Sequence, residues 1–539
     1  MIDWLHENRF WGIQMYKTIY LWLFLIVFIN QPHSESLFID AQNNSWKAQK
    51  AFQHCYLYLN GWLGHRDPAS GLIPRNLTSS HYWNAQDSAA DNYPFMVLTA
   101  SMLDHDRFHG VLLDMLHTEI LLTNRLDHLP DDFDFSTQTF RKSAPDLRGL
   151  IFGGSEYVKD GLIPLTEWLG PSEWADRMIG IQESIWKHAP IETKYGRIPS
   201  NDFEINGEQL QVLCRLYWMT ADQRYQEWAF RIADYYLLGK SPIESERLSL
   251  DDHGCEIISG LAGAYYLAAK TDTKRREAYR PAMTQLIDRI LNIATNDDGL
   301  FYMTVNPISG KVLNDELTDN WGYDYNAVLN VGTLDNNAEY IDAVKHVLDR
   351  IEGYVYYPWE KGGADGYADS IEGGLNLLNR LPNETGFQWV DDSMEILMAK
   401  QRPDGVIEGW HGDGNFTRTT LMYALWKTQG VRLEPWRADL AFGAVEKNGT
   451  LYLSIQSDWP WRGKVRFDRP RHRDYFNLPS DYPRINQFPE WFTIDAKSEY
   501  FININNQSMT NQTGEILLRG TPVEVDGKTP VFIKVGGIR

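Results

Sequence analysis

Cysteine is scarce: Cys55, Cys214 and Cys255 are the only three in 539 residues. They are too few and too far apart for a disulfide scaffold or a zinc site, and each falls in or beside an apolar helical pattern, so buried thiols are expected. No EF-hand-like Asp/Asn ladder or dinucleotide fingerprint occurs, and Gly153-Gly154-Ser155 lacks the preceding strand that a phosphate-cradling loop requires. Asp251-Asp252-His253 could ligate a cation but has none of these patterns around it, so no metal and no cofactor are expected. Positive charge is short as well. With 51 Lys and Arg against 72 Asp and Glu, the net charge is −21, which argues against binding nucleic acid or an anionic membrane through the whole surface. A local Arg/Lys cluster holding an anionic substrate remains compatible with that balance. Long apolar runs are missing except for the 11 residues Ile19–Ile29, preceded by Tyr16-Lys17 and followed by Ser34-Glu35-Ser36. That is the layout of an export signal, with Met15 as a start, cleavage near Ser36 and no membrane attachment afterwards; a signal anchor that stays attached is the alternative. The oligomeric state is left open.

Aromatic residues are abundant: 20 Trp, 28 Tyr and 23 Phe. Flat rings with polar edges suit sugar faces as well as a core. The organising stretch is Ser249–Ala268, where Asp251, Asp252, His253 and Glu256 head an apolar helix rich in Ala and Gly. Asp252 and Glu256 stand one turn apart and share a face. The same design recurs at Asp87–Asp91, Glu156–Asp160, Glu208, Asp319–Tyr325, Asp365–Glu372 and His411–Arg418, which makes seven polar-headed apolar helices. Capping alone would explain any one of these heads. Between them lie amphipathic helices, such as Val111–Leu126, with apolar residues at three- and four-residue spacing. Two alternating helix types predict an (α/α) toroid of six or seven hairpins over residues 37–432, apolar helices inside, polar heads gathered at one mouth. A linear solenoid would keep a stricter period. From residue 433 to 539, short period-two runs predict a small β-sandwich, interrupted by a Pro- and aromatic-rich insertion, Arg469–Phe492, to which no role is assigned.

With these hairpins, acidic and aromatic heads, an export signal and a trailing β-domain, the chain resembles the six-hairpin glycosidase superfamily and the toroidal polysaccharide lyases. The resemblance covers about residues 45–430 as architecture and implies carbohydrate chemistry at the mouth of the ring. Glycoside hydrolysis needs one protonated and one ionised carboxyl, and the candidates are Glu208, Asp252, Asp319, Asp369 and Asp413. β-Elimination from a uronate needs a base and a clamp for the substrate carboxylate. His253, Tyr323, Tyr325 and His411 are candidates for that base or for an acid that assists departure, and Arg75, Lys159 and Arg418 for the clamp. Asp87 joins the binding candidates from its helix head, and Trp83, Trp321 and Trp410 are placed where a sugar ring could stack. Each of these has a plain alternative as a cap, a wall aromatic or an ion-pair partner. The reading placed first is an exported glycoside hydrolase acting on uronic-acid-containing poly- or oligosaccharides. A lyase or dehydratase producing an unsaturated uronate comes second, and a non-catalytic glycan-binding protein third.

Overall fold

The computed structural model describes residues 35–79, 81–251 and 254–538, so the expected export signal, Asp252 and His253 lie outside the described residues. Helices alternate as the sequence pattern predicts. The outer ones are α1 (35–63), α3 (Leu113–Thr123), α5 (Glu173–Lys187), α7 (Gln223–Leu237), α9 (Thr273–Ile293), α11 (Ala338–Arg350) and α13 (Glu384–Met398). The inner ones are α2 (Tyr93–Leu103, entered through the π-helical turn Ala85–Asn92), α4 (Leu147–Glu156, continuing through Tyr157–Leu162 into Ile163–Leu169), α6 (Phe203–Thr220), α8 (Cys255–Thr271), α10 (Trp321–Asp335), α12 (Ala364–Arg380) and α14 (Asn415–Lys427). Outer helices bury one stripe: in α11 these are Tyr340, Val344, Val347 and Leu348. Inner helices are buried on all sides, as in α2, where all 11 residues are covered. That difference in burial is the physical content of the two sequence types.

Each inner helix packs on the next, and the small residues set how closely. A Cβ placed on Gly207 of α6 would stand 2.3 Å from the Glu256 carbonyl carbon of α8, and one on Gly322 of α10 would stand 2.5 Å from Gly373 of α12. The ring closes where Gly414, at the start of α14, meets the Asp91 carbonyl ahead of α2, with Arg418 over the Phe95 ring at 5.8 Å. Seven hairpins therefore close, among the described residues, into an (α/α) toroid. Side-chain capping differs among the helices: Asp146 and Asp202 cap the inner helices α4 and α6. Asp222, Asp272, Asn337 and Asn383 cap outer helices with their side chains. The residues that open α8, α10, α12 and α14 make no such bond.

The chain then forms two antiparallel sheets. One has three strands (Arg432–Glu434, Trp461–Arg466, Thr521–Val525), and the other runs Ala441–Lys447, Thr450–Gln456, Val531–Gly537, Glu499–Ile504, Thr510–Thr513. Helix α1 ties the larger sheet to the ring, with Phe52 stacked on Phe442 at 5.4 Å and Asn44 donating to the Ala444 carbonyl at 3.0 Å.

The insertion 469–492 acquires a role in the fold: it enters the ring from the end opposite the mouth. Tyr482 packs on Tyr266 of α8 with centroids 4.3 Å apart, Phe488 on Trp168 of α4, and Trp491 on Trp426 of α14. Arg484 and Arg215 of α6 share the carboxylate of Glu167, at 3.2 and 3.1 Å, and none of the three side chains is more than 5% exposed. Burial would raise Asp481, but Arg380 and Arg484 bring it down to about 2. Removing one member of a buried ion set leaves the others uncompensated. Glu167→Gln should therefore lower unfolding free energy by about 3–5 kcal/mol, read by urea or thermal denaturation, and a loss under ~1 kcal/mol would contradict this account of the plug.

Candidate active site

The inner-helix heads surround a cavity of about 410 Å³ whose floor includes Ile485 and Asn486 of the plug. Among the described residues, ten carboxylates line it, against Arg75, Lys159, Arg418 and His411. Such an excess cannot all be ionised in a partly dry space, because each added charge raises the cost of the next.

One wall comes from α4, α6 and α8. Glu156 and Asp160, one turn apart, share a hydrogen bond, and their carboxylate oxygens and one of Glu208 lie within 4.8 Å of one another. Burial, then the charges of Glu208 and Asp160, push Glu156 well above the usual carboxylate range. Glu208 is also raised, by burial and then by Glu204 and Asp160, and one of its oxygens is buried with no hydrogen-bond partner. Asp160 goes the other way. Burial opposes its charge, but Lys159 at 2.6 Å, the bond with Glu156 and an N–H of Asn486 at 2.7 Å hold it below its ordinary value. Burial alone would deprotonate Lys159, yet Asp160 and Glu256 keep its ammonium well above the usual pKa. Burial raises Glu256 to about 7 despite Lys159.

The facing residues belong to the α2, α12 and α14 heads. Asp87 accepts from Arg75 at 2.6 Å and from Asn84, and His411 Nε2 stands 3.9 Å from both Asp87 and Asp91. Trp410, 66% exposed, stacks on the Arg75 guanidinium at 4.3 Å and offers its other face to solvent at the rim. Asp365 accepts from Asn415 at 2.7 Å, and burial with the neighbouring Asp369 raises it. Arg418 pairs with Asp369 at 2.5 Å and Glu372 at 2.7 Å. Tyr323 donates to Glu372 at 2.6 Å, and burial pushes its hydroxyl well above the ordinary value.

The structure thus brings Arg75, Asp87, Lys159, Glu208, Tyr323, Asp369, Trp410, His411 and Arg418 to the cavity. Five expected site residues are placed elsewhere. Tyr325 donates to the Gly299 carbonyl at 2.7 Å, with its ring on Phe301. Trp83 is 2% exposed and sits in a short strand opposite Phe133. Trp321 is fully covered, its indole N–H on Ser370 at 2.8 Å. Asp319 is buried beside Thr318, and Asp413 is buried as an acceptor of the Phe416 N–H at 3.4 Å. Burial and Asp365 raise Asp413 well above the usual range. Trp321 and Tyr325 fall on turns of α10 that face away from the lumen, whereas Trp83 lies in a strand and Asp319 and Asp413 in the loops ahead of their helices. Glu156, Asp160, Asp91, Asp365 and Glu256 were not among the expected catalytic or binding residues, though a signal was present. Asp87/Asp91, Glu156/Asp160 and Asp365/Asp369 each repeat the one-turn carboxylate spacing of Asp252/Glu256.

Two trios, Asp87/Asp91/His411 and Glu156/Asp160/Glu208, are close enough to share a cation, but Arg75 already sits on the first and Lys159 on the second. No protein family matches the sequence, and no curated protein is similar to it. Among solved structures, the chain is similar to the α-1,6-mannanase GH76A of Salegentibacter sp. HEL1_6 (10% identity over 69% of this chain and 98% of that one, TM-score 0.40). It is also similar to unsaturated glucuronyl hydrolase from Bacillus sp. GL1 (13%, 53% and 86%, TM-score 0.37) and to cellobiose 2-epimerase from Bacillus thermoamylovorans B4167 (12%, 49% and 84%, TM-score 0.37). At such identities and scores these likenesses carry no argument about chemistry, which rests on the side chains above.

The protonation pattern has a thermodynamic signature. Glu256, raised when folded, contributes stability that is complete below its unfolded pKa and is lost as pH rises through about 7. Glu256→Gln should flatten that part of the melting-temperature profile between about pH 4.5 and 7. An unchanged slope would show that Glu256 is ionised throughout.

Proposed function

We propose that this protein is a carbohydrate-active hydrolase that cleaves a glycosidic bond at the end of an oligo- or polysaccharide chain. The observation that carries the reading is a proton donor and an ionised carboxylate held side by side: Glu156 raised and Asp160 lowered, hydrogen-bonded to each other in a cavity open at one mouth. Environments that push neighbouring carboxyls apart mark acid and base roles. Glu156 then protonates the leaving oxygen, and ionised Asp160 holds that proton in the resting site. The Glu156/Asp160/Glu208 oxygens, within 4.8 Å, are closer than the ~5–5.5 Å of a retaining carboxyl pair or the ~6.5–9.5 Å of an inverting one. The second carboxylate of the reaction is therefore drawn from the other wall, where Asp91 is partly exposed beside His411. Trp410 at the rim supplies a stacking face for the next sugar. The apolar run Ile19–Ile29 supports action outside the cytoplasm, where such polymers are met.

The geometry argues against the uronate and elimination readings. All three cations of the cavity are ion-paired, Arg75 with Asp87, Lys159 with Asp160 and Glu256, Arg418 with Asp369 and Glu372, and a substrate carboxylate would add charge to an already acidic site. Tyr323, with its raised hydroxyl and its bond to Glu372, is a poor base. Uncharged sugars fit better.

Glu156→Gln should lower kcat on saccharide leaving groups by about 10²–10⁴-fold while sparing nitrophenyl glycosides, whose leaving group needs no proton. Asp91→Asn should impair both. An equal loss on both substrates for Glu156→Gln would remove Glu156 as the acid.

A further inference from the structure

Asn486 of the plug hydrogen-bonds to both walls of the cavity. It is fully buried, with φ at +60°, a left-handed conformation that Asn tolerates and most residues do not. Three of its polar groups each have a partner from a different inner helix. The side-chain N–H donates to Asp160 Oδ1 of α4 at 2.7 Å, and the side-chain oxygen accepts from Arg418 Nη1 of α14 at 2.9 Å. The backbone N–H donates to Glu372 Oε1 of α12 at 2.6 Å. Its neighbour Ile485 is anchored through its carbonyl to Arg215 of α6 at 3.3 Å. We propose that Asn486 is a positioning residue of the active site, which fixes the orientation and charge of Asp160 so that the C-terminal β-domain completes the catalytic centre from the far end of the ring.

The inference rests on Asp160 being the charged partner of Glu156. Besides Asn486, the groups acting on Asp160 are Lys159 and Glu156 on its own helix, Glu208 on α6 and Glu256 on α8, with Glu372 and Arg418 behind Asn486. Only Lys159 among these favours its charge by Coulomb attraction at contact distance, so the Asn486 amide supplies a second, neutral stabiliser that adds no charge to the cavity. The same plug closes the lumen under the site, which limits the substrate to a chain end.

Two variants of the full chain separate positioning from bulk structure. Asn486→Gly accepts the positive φ and keeps the backbone bond to Glu372, losing only the amide. Asn486→Asp keeps the shape and replaces the donor with a charge. The acidic limb of the kcat/KM profile should move up by about one pH unit in Asn486→Gly and further in Asn486→Asp, with KM changed less than about twofold. A profile that drops uniformly with its limb in place would overturn the proposal. Melting temperature against pH reads the same bond without substrate. Asp160, lowered when folded, contributes stability above its unfolded pKa that is lost as pH falls. The melting deficit of Asn486→Gly should therefore be largest above about pH 5 and fade below about pH 3, and a pH-independent deficit would overturn the proposal. Should the unaltered protein hydrolyse no glycan, the hydrolase reading fails, while the melting profile still decides the role of Asn486.

Discussion

Charge buried inside a ring of apolar helices is stable only in compensated sets, and the organisation of this protein follows from that constraint. Three such sets cross the lumen. Glu167 with Arg215 and Arg484 sits deepest, while Arg418 with Asp369 and Glu372, and Lys159 with Asp160 and Glu256, both border the cavity. Each joins residues from different helices, and the plug contributes Arg484 to the first and Asn486 to the other two. The plug is thus held by the networks it completes, and a chain segment from beyond residue 480 becomes the floor of a site built by residues 75–418.

Compensation is incomplete at the mouth, and the incompleteness is chemically useful. Where carboxylates outnumber cations, protons take up the balance, and burial decides which groups hold them. Glu156 and Glu208 are pushed towards the neutral acid, while Asp160, next to Lys159, keeps its charge. Ionised Asp160 keeps a proton on Glu156, the acid that cleavage requires, while the second carboxylate comes from the opposite wall. Four inner helices, α8, α10, α12 and α14, open on residues that make no side-chain cap.

Much of the ring was legible in the sequence, because an apolar helix buried all round and an amphipathic one differ in composition and period, and their alternation leaves few packings. Which head residues face the lumen was less legible. Tyr323 and Tyr325 are two residues apart, yet one reaches Glu372 at the cavity and the other points to Gly299 behind the wall. A rotation of about 200° between such neighbours is set by the helix, but its absolute phase is set by packing. Trp321 and Trp410 both precede or open inner helices, and only Trp410 is exposed. The plug left no local trace. Asn486 meets its partners across separations of 68 to 326 residues, and nothing in Asp481–Trp491 except its Pro and aromatic content distinguishes it from a surface loop.

The central claim is hydrolysis at a chain end in a cavity closed from below. The most direct measurement is to incubate the protein with reducing-end-labelled neutral and uronate oligosaccharides, following released sugars by chromatography and unsaturated uronates by ultraviolet absorbance. The account predicts stepwise release of single sugars or short fragments from the unlabelled end of neutral chains, one new reducing end per cleavage and a flat absorbance trace. Rising absorbance on uronate chains, or internal cuts that leave long fragments at random, would contradict it.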